Sequence, residues 1–200
     1  MTDENDENVG RESREEFRAR ALAVAAELFA SQGVRATSVR QIARELGVSH
    51  TYVHMQFGTK DELVDAVLME GDPGLVQAFA EDADLESIVE AVSRKLLRNP
   101  NDQRVLAAAL LGGVWTPALE RRRAAQRAFL DRMRTRLADR GRPAGDVDVR
   151  AAAAAAAALL VGWAVIRDWA VPAYELEDED PEVVEDELVK VVKHLLETSG

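Results

Sequence analysis

Eight of the chain's 25 lysines and arginines fall between positions 11 and 60, against five acids there, although the formal charge of the whole protein is −11. The eight are Arg11, Arg14, Arg18, Arg20, Arg35, Arg40, Arg44 and Lys60, and they give that stretch a balance of +3. Residues 1–10 carry four acids and no base, and residues 61–200 balance to −10. Only the early segment is therefore electrostatically suited to approach phosphates. The acidic remainder should limit loose binding elsewhere on the protein.

Within the basic stretch, His50 and His54 stand four apart, a spacing that can hold a metal on one helix face. No carboxylate or third histidine lies nearby in sequence and His194 is remote, so no metal site is expected. The chain also lacks a Gly-rich phosphate loop, a cysteine nucleophile and a nucleophile-elbow motif. Its paired acids Glu179-Asp180 sit in an acidic loop suited to solubility rather than acid–base work. Catalytic residues, enzyme activity and a cofactor are not expected.

The elements that must position these groups read as helices throughout. Phe17, Ala21, Val24, Ala25, Leu28 and Phe29 recur on one face of a helix from about Glu12 to Ser31, closed by Gly33. A short helix begins near Ser38, where Ser38-Val39-Arg40-Gln41 has capping-box spacing, and buries Ile42, Ala43 and Leu46. Gly47 supplies a sharp turn, and Ser49 caps a third helix running to about Phe57. Thr59-Lys60-Asp61-Glu62 repeats the capping-box spacing and opens a fourth, ended by Gly71-Asp72-Pro73-Gly74.

Further helices are expected near 75–81, 85–98, 102–115, 117–140, 147–170 and 181–197. Strict alternation between turn signals is missing, so the fold class is all-α without a sheet. The organisation expected is an acidic disordered tail (1–10), a helix-turn-helix head (11–58), a connecting helix (59–72) and a helical effector-binding and dimerisation domain (73–200). The absence of cysteine and the acidic, polar start point to a reducing cytoplasm rather than secretion. The uncharged run from Ala151 to Ile166 has 16 residues, short of the roughly 20 that cross a bilayer, and reads as one deeply buried helix of a protein without a membrane.

The most informative stretch is Ser38 to Lys60. Two short helices joined by Gly47-Val48 form a unit whose buried side are Ile42, Ala43, Leu46, Val48 and Val53. Ala43 is small enough to let the second helix cross closely over the first. A helix presented in this way fits a major groove about 12 Å wide, its N-terminal residues nearest the base edges. Arg18 to Phe29 with Gly33, then Thr37-Ser38-Val39, Ile42-Ala43, Gly47-Val48-Ser49, Phe57 and Lys60, resembles the N-terminal pattern of the tetracycline-repressor (TetR) family.

That resemblance implies a DNA-binding transcriptional regulator of bacterial origin, acting on double-stranded DNA at a palindromic operator. It implies that Arg40 reaches a base, with arginine reading guanine bidentately. It implies that His50, Thr51 and His54 form the exposed face of the recognition helix, as base or phosphate contacts. Thr37, Ser38, Ser49, Tyr52 and Lys60 match phosphate-contacting positions, Lys60 beside a helix N-terminus that itself attracts anions. The sequence departs from the family pattern at Thr51, where glycine is frequent, and at His54 and Met55, where tyrosines are common.

One recognition helix reads only a few base pairs, so a homodimer presenting two is expected. Val184, Leu188, Val191 and Leu195 repeat at 4-3-4 spacing and, with alanines such as Ala151 and Ala155, mark the expected seam. Phe79, Trp115, Phe129, Met133, Trp163 and Trp169, with Arg167 as a polar group, are the candidates for lining a cavity for an apolar or aromatic small-molecule effector. The eight arginines of the long helix 117–140 read as its wet face. The function expected is a repressor released from its operator by that effector. The alternative is a regulator without one, controlled by a protein partner or by abundance, and an apolar pocket rather than a collapsed core separates the two.

Overall fold

The computed structural model describes residues 12–70, 85–139 and 146–197. Among them are nine α-helices and no strand: α1 (Arg14–Gln32), α2 (Val39–Leu46), α3 (His50–Phe57), α4 (Lys60–Glu70), α5 (Leu85–Arg98), α6 (Pro100–Leu111), α7 (Pro117–Asp139), α8 (Asp146–Ala173) and α9 (Pro181–Glu197). The expected acidic tail at 1–10, the helix near 75–81 and Phe79 lie outside the described residues.

Local chemistry explains the boundaries. At the start of α1, Ser13 Oγ accepts from Glu16 N and the Glu16 carboxylate accepts from Ser13 N, a complete capping box. The Thr59–Glu62 box at α4 is likewise complete, whereas the one at Ser38 is half formed. There the Gln41 amide turns away and donates to Gln32 Oε1 at 2.7 Å, tying α2 to the end of α1. Helix α6 begins at Pro100 and ends at Leu111, not at 102 and 115. Proline suits the first turn because its missing N–H would have no helical partner, and Gly112-Gly113 closes the helix with φ +63° at Gly113.

Two apolar clusters hold these helices. The first joins Phe17, Ala21 and Phe29 of α1, Ile42 and Ala43 of α2, Val53 of α3 and Leu63 and Val64 of α4 to Val105, Leu106 and Ala109 of α6 and Leu119 of α7. The head therefore has no core of its own; α6 and the first turn of α7 complete it. The second cluster is built from Val89 and Leu97 of α5, Met133 of α7, Ala152, Ala156 and Leu160 of α8 and Val189 and Val192 of α9. Lys193 Nζ bonds Glu90 at 2.6 Å and Glu86 at 3.3 Å, and Arg94 pairs with both Asp186 and Glu90, orienting α9 on α5. The hydrogen bond from Lys193, and secondarily that from Arg94, holds the Glu90 carboxyl below its ordinary range. This contribution is lost as pH falls through that lowered value.

Helix α8 corrects two expectations. It runs unbroken through Arg150 and Arg167, so Val149–Ala173 is long and apolar enough to cross a membrane by length and composition. It is also not buried all round. Val149, Ala152, Ala156, Leu160 and Ala164 face the core, while Ala151, Ala155, Ala158, Val165, Ile166 and Trp169 are exposed.

The turn between α2 and α3 depends on backbone conformation. Gly47 sits in the left-handed region (φ 70°, ψ 26°), where its N–H caps Ala43 O, and an added Cβ would meet nothing within 4 Å. A substitution there costs only conformational energy. Gly47→Ala is expected to lower unfolding stability by about 1 kcal/mol, and Gly47→Asn by less, in urea titrations.

Candidate nucleic-acid interface

Helix α3 stands on the surface because its apolar residues are spaced to bury one edge. Val53 and Phe57 point into the head, while His50, Thr51, His54 and Met55 are exposed. Ser49 caps it, its Oγ accepting from Tyr52 N at 3.1 Å. The Tyr52 ring packs edge-on against Phe17 at 4.8 Å, which anchors the phenol at the base of α3. His54 Nδ1 lies 2.7 Å from Gly58 O. A carbonyl only accepts, so Nδ1 carries the proton and Nε2 is the nitrogen left to face outward. His50 and His54 rings are 6.3 Å apart and nearly perpendicular.

The basic residues divide into those that build the head and those that face solvent. Arg20 pairs with Glu12 at 2.6 Å and also donates to Leu46 O, closing the C-terminus of α2. Arg18 lies over the Phe57 ring at 5.0 Å, and Arg14 donates to Gln56 Oε1 at 3.2 Å, so both pin the end of α3 to α1. Arg40 and Arg44, one turn apart on α2, are exposed and make no hydrogen bond or ion pair among the described residues. The i, i+4 spacing of this pair is legible in sequence, although the family resemblance points to Arg40 alone. Ser38 is exposed, and its Oγ accepts from Gln41 N. Lys60 is half-buried and donates to Arg35 O at 3.4 Å.

Two expectations require correction. Thr37 is 1% exposed and its hydroxyl donates to Gly33 O and Leu28 O, so it closes the loop after α1 and offers nothing to a phosphate. The N-terminus of α4 beside Lys60 is already occupied by the Glu62 carboxylate, which accepts from Thr59 N and Oγ1. Those bonds lower the Glu62 pKa, and the resident anion competes with any phosphate for the helix end.

The family described as bacterial regulatory proteins, tetR family, matches residues 21–67, from within α1 to α4. An HTH-type transcriptional repressor of Mycobacterium tuberculosis is 38% identical over 150 residues, covering 75% of this chain and 73% of that protein. This chain belongs to the TetR family. A putative transcriptional regulator from Streptomyces coelicolor superposes with a TM-score of 0.67 at 27% identity, over 90% of this chain and 97% of that one. The TetR-family regulator PfmR of Thermus thermophilus shares the fold at TM-score 0.64 and 24% identity, over 90% and 95% of the two chains. The protein is thus a DNA-binding transcriptional regulator and not an enzyme.

Beyond the head, this TetR-family protein has a cavity of about 260 Å³ between α5, α6, α7, α8 and α9, walled by Val89, Val92, Leu96, Leu106, Phe129 and Leu160 among others. Of the described residues expected to line one, Phe129 does, and Trp115, Met133, Trp163, Arg167 and Trp169 do not. Met133 is fully buried in the adjoining core and Trp163 packs half-buried against it. Trp115 is exposed, bonded to Glu120 and covered by Arg123. Trp169 is 64% exposed, edge-on to Tyr174, and Arg167 approaches Asp168. On α8 the cavity is bounded between Arg150 and Val161, so Trp163, Arg167 and Trp169 lie past its end.

A feature missed in sequence joins the cavity to the head. Asp65, the one acid within the apolar run Leu63–Leu68 of α4, accepts from Ala118 N at the start of α7 and from Arg121 at 3.0 Å. Its position as a lone carboxylate between buried Val64 and Val67 was the available signal. Of the expected seam, Ala151, Ala155 and Val191 are exposed, Val184 and Leu195 half-buried, and Leu188 packs on the core.

The Ser49 cap tests how α3 is held. Ser49→Ala should lower stability by about 1 kcal/mol in chemical denaturation, and Ser49→Asp should restore most of it.

Proposed function

We propose that this TetR-family regulator is a homodimeric repressor that holds a palindromic operator and leaves it when a small apolar molecule enters the cavity. The observation that carries this reading is the exposed face of α3 beside Arg40 and Arg44, which make no ion pair among the described residues, on a head braced by the helices that wall the cavity. In it, Ser38, Ser49, Tyr52 and Lys60 meet phosphates while Arg40, His50, Thr51 and His54 meet base edges, in the cytoplasm where the DNA lies. The repressor named among its relatives supports the sign of regulation.

Dimerisation is supported by a stripe on α8. Ala151, Ala155, Ala158, Gly162, Val165 and Trp169 repeat at 4-3-4-3-4 spacing on its outward side, small residues first and large ones last. Val183 and Val191 of α9 are 50% and 46% exposed. A contiguous apolar face of this kind is costly in water and suits a second copy. The carboxylate of Asp65 gives the switch a path: a ligand that displaces α7 displaces α4, and with it the head. Coupling of about 1–3 kcal/mol would change operator affinity roughly 5–150-fold.

Selection of bound fragments from genomic DNA should return a palindrome whose half-sites lie one helical turn, or a multiple, apart. On that site, Arg40→Ala with Lys60→Ala should weaken binding and shallow the salt dependence by up to about two counterions; an unchanged affinity and slope would remove the assigned surface. Sedimentation at micromolar concentration should show a dimer, and Trp169→Glu with Val191→Glu a folded monomer. A wild-type monomer would overturn the dimeric reading.

A further inference from the structure

The His54 ring is bonded to the protein through one nitrogen. Its Nδ1 lies 2.7 Å from Gly58 O, and the Gly58 N–H returns to His54 O at 2.8 Å, so side chain and backbone close a loop at the end of α3. Gly58 is itself fixed. Its φ of +77° suits glycine, and an added Cβ would strike the Glu62 carboxylate. That carboxylate is held in turn by Thr59 N and Oγ1. The edge of the ring meets His50 at 6.3 Å. Among the described residues no acid bonds to His54 or pairs with it, and the side chain is exposed on the face that carries His50 and Thr51.

With the proton on Nδ1, Nε2 of the neutral ring presents a lone pair and has nothing to donate. That decides what it can meet on a duplex. Phosphate oxygens only accept, and so do N7 and O6 of guanine and O4 of thymine. Each of these would face the lone pair acceptor to acceptor. Adenine N6 and cytosine N4 are the groups that extend a donor into the major groove. We infer that His54 is a specificity-determining residue whose Nε2 accepts from the exocyclic amine of an adenine or a cytosine. The inference rests on the operator-binding reading above and names the chemical group that His54 reads. Arg40 has the opposite demand, since a guanidinium only donates and so suits the acceptors of guanine. The α2–α3 unit therefore carries one donor-only reader and one acceptor-only reader.

The test uses the full-length protein and duplexes selected from a random library, at about pH 8. Wild-type protein should enrich a palindrome, and His54→Ala and His54→Phe should each relax the same base pair of the half-site and no other. At that pair, exchanging adenine for purine, or cytosine for pyrimidinone, deletes the amine, and whichever exchange applies distinguishes the two bases. The deletion should weaken wild-type binding roughly tenfold more than binding of the His54 variants, the worth of one hydrogen bond. A deaza analogue that removes the purine N7 at the same pair should cost wild type and variants alike. In long-range proton–nitrogen correlation spectra of the wild type, the neutral His54 ring should carry its proton on Nδ1, a readout that needs no variant to fold. A proton on Nε2 overturns the inference, as does a cost of N7 removal that depends on His54 where the cost of amine removal does not. A uniform loss of affinity in His54→Ala with a shallower salt dependence overturns it too, since that marks a charged ring on a phosphate. So does a palindrome whose preferences His54→Ala leaves unchanged. All four outcomes leave the operator-binding reading standing, whereas failure of the wild type to enrich any sequence removes both.

Discussion

A helix of eight residues cannot maintain itself in water, because nucleation costs more than so few hydrogen bonds return. Both α2 and α3 have that length. Everything this protein does at DNA depends on burying Ile42, Ala43, Val53 and Phe57 against α1 and α4, in a core that α6 and α7 complete. Truncating a fully buried side chain there, such as Phe29 or Ile42, costs about 2–5 kcal/mol. That is a large share of the roughly 5–15 kcal/mol by which a domain is stable. The apolar set that makes the reading head rigid therefore also welds it to the body, and a change in the body has a route to the head.

The polar groups of the head follow the same division of labour. Arg14, Arg18 and Arg20 lie in the most basic part of the sequence, yet their side chains are engaged with Gln56, Phe57, Glu12 and Leu46. They set where α2 ends and how α3 is held. Arg40 and Arg44 are the cations left facing outward on α2. Net charge located the segment; it did not say which charges were spent on structure.

The body carries two apolar features with opposite orientations on α8. One edge of the helix closes the core and the cavity with Ala152, Ala156 and Leu160, and the other shows Ala155, Ala158, Val165 and Trp169 to solvent. Small residues serve both sides, since alanine permits close approach inward and outward. Asp65 adds a polar joint on α4, where its carboxylate accepts from the Ala118 N–H in the first turn of α7 and from the Arg121 side chain, and complements the positive end of that helix.

Much of this was legible in the residues alone. Helical periodicity, the glycines at 33 and 47, and the Ser49 cap determined the helix-turn-helix and its outward face, because each acts within one or two turns of chain. The same local rules placed α5, α7 and α9 to within a residue or so. What tertiary structure decided are the matters that depend on partners distant in sequence. Thr37 matches a phosphate-contacting position in sequence but is sealed against the end of α1, and of the described aromatics expected in one cavity Phe129 lines it while the tryptophans lie against the core or on the surface. The polar wall of Gln103 and Arg122 comes from two helices whose positions are 19 apart, and Arg122 is indistinguishable by type from its neighbours in the run 121–123. Periodicity tells which side of a helix is apolar. Only packing tells what that side meets.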